Sequence, residues 1–128
     1  MATHIAEHFA EELSGWRGTI DHYQQEMDEI ETRLADIVRR NSIKDIAEKV
    51  EIHQDLLDAV ADDFDMIQVA IRHQEEELIV NDHYIDDDLV REDTERRQQD
   101  IRKRMQDAEK AFIDAKYQCR EFIARTLT

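Results

Sequence analysis

The sequence predicts an all-α fold, an elongated left-handed antiparallel three-helix bundle whose apolar residues follow the spacing of coiled coils. The chain has no proline and only two glycines, and a sheet needs repeated turn residues of this kind. Apolar residues recur in alternating steps of four and three, a period of 3.5 that indicates left-handed supercoiling. The 128 residues are therefore expected to form one domain, with helices at about 4–40, 43–83 and 88–126 and no strands.

The first predicted helix carries the most regular apolar seam. Arg39 and Arg40 at its end suit the negative pole of a helix dipole, and Asn41 is expected to cap it. The seam consists of Phe9, Leu13, Trp16, Ile20, Tyr23, Met27, Ile30, Leu34 and Ile37.

The second predicted helix starts after Ser42, a favourable N-cap whose third following residue, Asp45, can complete a capping box. Its heptads are unbroken, although His53, Gln74 and Asn81 are polar members. The seam consists of Ile43, Ile46, Val50, His53, Leu57, Val60, Phe64, Ile67, Ile71, Gln74, Leu78 and Asn81.

The third predicted helix follows the acidic stretch DHYIDDDL, where Asp86, Asp87 or Asp88 is expected to act as the N-cap. The register also places Thr94 and Gln98 in the core, so we expect this end to be wetter and more mobile. The seam consists of Ile101, Met105, Ala108, Phe112, Ala115, Cys119, Phe122 and Thr126.

Short turns between the helices predict an up, down and up arrangement, and this arrangement assigns residues to common layers. Trp16 is expected beside Ile67 and Met105, whereas His53 is expected beside Ile30 and Cys119.

Several stretches of the chain resemble the spectrin repeat of spectrins, α-actinins, dystrophins, plakins and nesprins. They are ELSGWRGTI around Trp16, KVEIHQDLLDAVADD around His53 and NDHYIDDDLV before the third helix. Ile101 stands where the family usually has a second tryptophan, which makes the repeat a divergent one. The resemblance implies a three-helix module with a role in mechanical linkage, adaptor binding or both.

The net charge of −15 disfavours a nucleic-acid partner, because binding a phosphate backbone requires a basic surface. The acidity lies mostly in residues 42–88, with fifteen Asp or Glu and three Lys or Arg. Cys119 is the single cysteine, and neither a signal peptide nor a run of roughly 20 apolar residues is apparent. We therefore expect a cytoplasmic protein, at the cytoskeleton or the cytoplasmic side of a membrane, that binds proteins without membrane insertion.

The stretch HIAEH, residues 4–8, matches the inverted zinc-peptidase pattern H-x-x-E-H. In the heptad register His4, Glu7 and His8 face solvent, and a catalytic zinc site needs a third protein ligand and a dry cavity. No further ligand motif accompanies them, and a solvated helix end is the preferred interpretation. We expect no catalytic residue, no metal and no cofactor.

Three other candidate chemical sites have ordinary explanations. No histidine has a glutamate three residues before it, as a ferritin-like di-iron site requires. His53 and Cys119 lack a third partner, so packing is preferred over a metal or nucleophile site. The runs DDFD, EEE and DDD lack EF-hand spacing and indicate solvated faces and an N-cap.

The stronger functional signal is a group of apolar residues outside the seam of the second helix, surrounded by aspartates. Isolated surface apolar residues are normal, and broad packing against the adjacent helices is the alternative. The predicted protein-binding residues are Ile52, Asp55, Asp58, Ala59, Asp62, Met66 and Val69. Their composition favours a basic amphipathic helix as the partner.

These observations predict a non-enzymatic structural and interaction module, a spectrin-repeat-like spacer or scaffold in a cytoskeletal or cytoskeleton-to-membrane linker protein. The alternative is a stand-alone helical adaptor or regulator that self-associates or binds a basic amphipathic helix. A metal-dependent hydrolase is the remote alternative. The oligomeric state stays open.

Overall fold

Three long helices contain most of the residues for which the sequence predicts helix. The computed structural model describes residues 2–126, with α1 at His4–Arg40, α2 at Lys44–Glu77 and α3 at Glu92–Thr126. The all-α class and the number of long helices are as predicted. The predicted second helix, residues 43–83, is six residues too long at its end, and the predicted third helix starts four residues too early.

Each long helix contributes residues to two compact units. Within the described part of the chain, unit 1 comprises residues 2–20 and 64–107, and unit 2 comprises residues 21–63 and 108–126. The prediction of a single elongated, left-handed bundle stays a prediction.

The core of unit 1 follows the predicted seams and includes three polar residues. Heptad positions face inward because a period of 3.5 keeps one stripe of a supercoiled helix toward its neighbours. The buried residues are Ala6, Leu13, Ile20, Phe64, Ile67, Ile71, Gln74, Leu78, Thr94, Gln98, Ile101 and Met105. Trp16 is only half-buried, since so large a side chain is rarely enclosed completely.

The core of unit 2 is apolar. Its buried residues are Met27, Ile30, Leu34, Ile37, Val50, Leu57, Val60, Ala108, Phe112, Ala115, Cys119 and Ile123. Tyr23 stacks on Phe112 with ring centroids 4.4 Å apart, and His53 stacks on Phe122 at the same separation. The seam weakens at Ile43, which is exposed beside the turn between α1 and α2.

Of the two helix caps predicted for the turn between α1 and α2, the structure contains the one at the end of α1. The Asn41 side-chain amide donates a hydrogen bond to the carbonyl oxygen of Ile37 at 3.0 Å, as expected of a C-terminal cap. α2 begins at Lys44, so Ile43 directly precedes the helix and its carbonyl accepts the amide of Ile46. The predicted N-cap at Ser42 therefore lies one residue too early.

The connection between α2 and α3 contains a small hairpin, so the prediction of no strands is wrong. Strands β1, Ile79–Val80, and β2, His83–Tyr84, pair antiparallel. Asn81 and Asp82 form the two-residue turn with φ values of 52° and 65°. A type I′ turn requires positive φ at both positions, and Asn and Asp tolerate it better than most residues.

Asp87 has a different role from the predicted one. Its carboxylate accepts a hydrogen bond from the backbone N–H of Ile5 at 2.9 Å, and its own N–H donates to the carbonyl of Ala2. Asp87 therefore caps the start of α1, whereas Asp87–Leu89 forms a short 3₁₀ turn before α3. Asp87 is close to α3 in sequence, yet it accepts a hydrogen bond from a backbone N–H at the start of α1, 82 positions earlier in the chain.

Within residues 2–126, none of the helices combines the length and apolar character needed to span a bilayer.

Candidate functional site

The predicted binding residues are all exposed, but they divide between the two units. Ile52, Asp55, Asp58, Ala59 and Asp62 belong to unit 2, and Met66 and Val69 belong to unit 1. Ile52 is 59% exposed and Met66 is 60% exposed. Each part of the predicted surface therefore has its own surroundings.

Two of the unit 2 residues, Asp55 and Asp58, line a groove between α1 and α2, which we call the acidic groove. It has a volume of about 910 Å³ and is lined by Asp28, Glu31, Thr32, Ala35, Val38, Ala47, Glu51, Gln54, Asp55 and Asp58. Five of these residues are acidic, and no described Lys, Arg or His lines the groove. Ile52, Ala59 and Asp62 are exposed but are not among the residues that line the groove.

Two carboxyl groups in the acidic groove interact across the two helices. Burial raises the pKa of Glu31 to about 7, together with a hydrogen bond to Asp58 and the charges of Asp58 and Asp28. Desolvation and neighbouring negative charge both disfavour an ionised carboxylate. The groove therefore combines exposed carboxylates with one acid that holds its proton near neutral pH.

Met66 and Val69 line a separate groove in unit 1, between α2 and α3. This groove has a volume of about 460 Å³ and is lined by Met66, Val69, Ala70, His73, Arg97, Asp100, Ile101 and Arg104. Four of these residues come from α3 and include two arginines. The charges on α2 by themselves predict an acidic surface, whereas packing adds side chains from a helix distant in sequence.

Unit 1 also contains a buried polar cluster, which we call the polar layer: Gln74, Thr94 and Gln98. The Gln74 amide nitrogen donates to the Thr94 carbonyl at 2.8 Å and to the Gln98 side-chain oxygen at 3.1 Å. The Gln98 nitrogen donates to the Phe9 carbonyl at 3.2 Å and to Glu12 at 2.9 Å. The polar layer thus connects all three helices in unit 1.

Charged residues complete the hydrogen bonds at the edge of the polar layer. Arg97 donates to the Gln74 oxygen at 3.2 Å and to Glu77 at 3.0 Å. Arg102 contacts both Glu12 oxygens, at 2.9 and 2.7 Å. Burial acts to raise the pKa of Glu12, but hydrogen bonds from Arg102 and Gln98 outweigh it and lower the pKa.

Thr94 and Gln98 lie in the core, as the register predicts; the expectation that this end is wetter and more mobile stays a prediction. Both side chains are buried, and their polar atoms have protein partners. No described buried side-chain nitrogen or oxygen lacks a hydrogen-bond partner. Protein groups therefore satisfy these core positions, since an unpaired buried polar atom is costly.

The HIAEH stretch has the solvated arrangement that the register predicts. His4, Glu7 and His8 are exposed on the first turns of α1, and the Thr3 hydroxyl donates to Glu7 at 2.9 Å. Among residues 2–126, no group of three or more His, Cys, Asp or Glu side chains is arranged to hold a metal ion.

His53 and Cys119 are neighbours in unit 2, as predicted. The Cys119 thiol lies 3.8 Å from the backbone carbonyl of His53, and the His53 Nδ1 lies 2.7 Å from the Lys49 carbonyl. Burial and the charge of Glu31 raise the pKa of Cys119 to about 11. The thiol is therefore protonated at neutral pH, which opposes nucleophilic chemistry.

Sequence reasoning missed the apolar surface of the hairpin in unit 1. Ile79, Val80, Tyr84 and the nearby Leu89 are all exposed. The signal was present in IVNDHY, because Asn-Asp between two short β-favouring pairs is typical of a two-residue hairpin turn. The continuous heptad pattern through Leu78 and Asn81 obscured it.

Comparisons of the chain with protein-family models, with curated proteins and with solved structures gave no match.

Proposed function

We propose that this chain is a non-enzymatic protein-interaction module whose acidic groove binds a basic amphipathic helix. The observation that carries this proposal is the composition of the groove. It is lined by five carboxyl groups and by the apolar side chains of Ala35, Val38 and Ala47. None of its described lining residues is a Lys, Arg or His. Such a groove offers both apolar contact and complementary charge to one class of partner.

The apolar contacts are expected to supply most of the affinity. Val38 lines the groove and is 39% exposed, and the exposed residues Ala35 and Ala47 also line it. A helix with one apolar stripe would cover such side chains, and buried anchors dominate the binding energy of most interfaces. Carboxylates at the rim act chiefly on partner selection and on the association rate.

The charge of the chain supports the same partner. A net charge of −15 attracts cationic proteins over a distance comparable to the Debye length, about 8 Å at physiological salt. Met66 and Val69 are not included in this surface, because arginines of α3 line their groove.

The broader role that we propose is a divergent spectrin-repeat-like spacer or scaffold in a cytoskeletal or membrane-linking protein. Buried heptad positions in both units support this role, as does the resemblance around Trp16 and His53. A stand-alone adaptor that self-associates is the alternative. The parent gene distinguishes the two, since a linker is expected to continue into further heptad segments.

The binding proposal is tested with a synthetic peptide that forms a helix with a leucine stripe flanked by Lys and Arg. Its affinity for the full chain is measured by calorimetry, beside a comparison peptide in which Glu replaces every Lys and Arg. We expect only the basic peptide to bind. Glu51→Gln with Asp55→Asn is expected to weaken its binding by about tenfold at low salt, mainly through slower association. Val38→Ala is expected to weaken it at every salt concentration, because it shortens an apolar side chain that lines the groove.

The matched control is Glu48→Gln with Asp63→Asn, which removes the same two charges from exposed positions of α2 outside the groove. This control is expected to change the affinity by less than about twofold. Equal weakening by the groove and control variants would mean that the peptide senses only net charge, and the proposed groove would be rejected.

A further inference from the structure

Four charged residues of α3 lie on one exposed face of unit 1, which we call the charge stripe. Its members are Arg97, Asp100, Arg104 and Asp107, and all four are exposed. Successive members are three, four and three positions apart, and this spacing keeps residues on one side of a helix. Positive and negative charges therefore alternate along the exposed side of α3.

The two central members of the charge stripe have no partner within the described chain. Among residues 2–126, neither Asp100 nor Arg104 takes part in a hydrogen bond or an ion pair. An acidic residue four positions before a basic one is the favourable order for an ion pair on a helix. Lys103 and Asp107 do pair over the same spacing, at 3.3 Å. Asp100 and Arg104 therefore present two opposite charges to a partner.

Apolar side chains are exposed beside these two charges. Asp100 and Arg104 line the unit 1 groove together with Met66 and Val69 of α2, which are 60% and 45% exposed. Burying such apolar side chains is favourable, but burying an unpaired charge beside them is costly. The groove is therefore suited to a partner that offers apolar contact together with a positive and a negative charge.

A second copy of the chain offers the charges that match the stripe. When two α3 helices lie antiparallel about a two-fold axis at the level of Arg102, Asp100 of each copy lies opposite Arg104 of the other. Arg97 and Asp107 face each other in the same way. The stripe is thus complementary to itself, whereas a uniformly acidic or basic helix would place a like charge against Asp100 or Arg104.

The same axis also brings exposed apolar residues of α2 together. Gln74 of α2 bonds Gln98, and α2 residues nearer its start lie beside α3 residues nearer its end. Val69 is five positions before Gln74, so it is level with Lys103, which is five positions after Gln98 and next to the axis. Met66 and Val69 of one copy therefore lie over the same surface of the other, where apolar contact contributes to affinity.

The distribution of charge along the chain also favours contact through α3. Two chains with a net charge of −15 repel each other, and this repulsion is weakest where opposite charges are balanced. Residues 89–128 contain ten Lys or Arg and eight Asp or Glu, whereas residues 42–88 contain three and fifteen. A second copy therefore meets less repulsion at the charge stripe than at the acidic groove.

We propose that the charge stripe, together with Met66 and Val69, forms a homodimer interface in which the two α3 helices run antiparallel. The outer members of the stripe already have partners within the chain, so the two Asp100–Arg104 pairs contribute most of the charge recognition. The interface lies in unit 1 and does not use the acidic groove, so it stands or falls separately from the proposed function.

Sedimentation of the full chain over a concentration series up to about 1 mM measures its self-association, and we expect a reversible dimer. Asp100→Arg leaves only positive charge at the centre of the stripe, and Arg104→Asp leaves only negative charge. Each variant is therefore expected to dimerise at least about tenfold more weakly than the wild type. An equimolar mixture of the two is expected to form a heterodimer, because opposite charges then face each other. A chain that carries both substitutions is expected to dimerise again.

The matched controls are Glu95→Arg and Arg96→Asp, which make the same charge changes at exposed positions of α3 outside the stripe. Each control is expected to dimerise with the wild-type affinity, within about twofold. Equal weakening by the control and stripe variants would overturn the proposal, as would a mixture of the two stripe variants that stays monomeric. A wild-type chain that is monomeric throughout the concentration series would also overturn it.

Val69→Ser tests the same interface without a change of charge. Val69 is 45% exposed, so the variant is expected to stay folded. It is expected to dimerise about fivefold more weakly than the wild type, because an apolar contact is lost. This test holds even if a charge variant folds poorly. Wild-type affinity in Val69→Ser would place the interface elsewhere and reject the proposal.

Discussion

The two units fill the inward-facing heptad positions of their cores with different kinds of side chain. Unit 1 places Gln74, Thr94 and Gln98 at inward positions and satisfies them with hydrogen bonds, whereas unit 2 fills equivalent positions with side chains such as Phe112 and Ala115. Apolar burial is nearly independent of direction, but each hydrogen bond requires a particular partner at a particular distance. The polar layer thus contributes chiefly to specificity, and the apolar core of unit 2 contributes chiefly to stability.

The largest effect is expected from the apolar core of unit 2. Phe112→Ala removes a ring that is 1% exposed and stacked on Tyr23, and the usual cost of such a deletion is about 3 to 5 kcal/mol. Urea unfolding measures the change in free energy. The control Ile113→Ala alters the next residue, which is 56% exposed, and is expected to cost less than about 1 kcal/mol. Similar losses for both variants would contradict the assigned register.

The polar layer of unit 1 is expected to behave as one connected unit. Gln98→Leu leaves the Gln74 amide without one acceptor and Glu12 without one donor, at a cost of about 1 to 3 kcal/mol. Gln74→Leu with Gln98→Leu removes both partners of the shared hydrogen bond. The double variant is expected to lose less stability than the sum of the two single variants, as measured by a double-mutant cycle. Strict additivity would show that the two glutamines act independently.

A smaller effect is expected where the hairpin segment caps α1. Asp87→Ala removes the acceptor for the Ile5 amide and is expected to cost about 1 kcal/mol, the usual value of an N-cap. Asp88→Ala is the matched control, because it removes the same charge from the neighbouring exposed residue. Equal losses of thermal stability in the two variants would show that the effect comes from the removed charge and not from the removed cap.

The smallest effect is expected at HIAEH. His4→Ala with His8→Ala changes two exposed side chains, so stability is expected to stay within about 0.5 kcal/mol. Metal content measured by mass spectrometry is expected to be the same in both proteins. A stoichiometric metal that disappears in the double variant would revive the metallohydrolase interpretation.

The sequence predicts only part of the candidate site. Heptad positions describe each helix by itself and do not show which side chains a neighbouring helix contributes. Exposure of Ile52, Asp55 and Met66 follows from their heptad positions, because these positions point away from the seam. The grooves beside them depend on which residues a neighbouring helix presents. Arg104 beside Met66 and Glu31 beside Asp58 come from distant parts of the sequence, so local patterns did not reveal them.

The sequence by itself determined the three long helices and most of the residues that face inward, because helix propensity and heptad spacing are local properties. The predicted seam fails at Ile43 and Asn81, which are exposed, and Ile123 is buried where the seam predicts Phe122. It also contained the turn chemistry of Asn81 and Asp82, although the heptad pattern concealed it. Only the tertiary structure decided that Asp87 caps α1, that Gln98 bonds Glu12 and that Glu31 and Asp58 line one groove. Hydrogen bonds depend on distances of a few ångströms between side chains, and packing sets those distances.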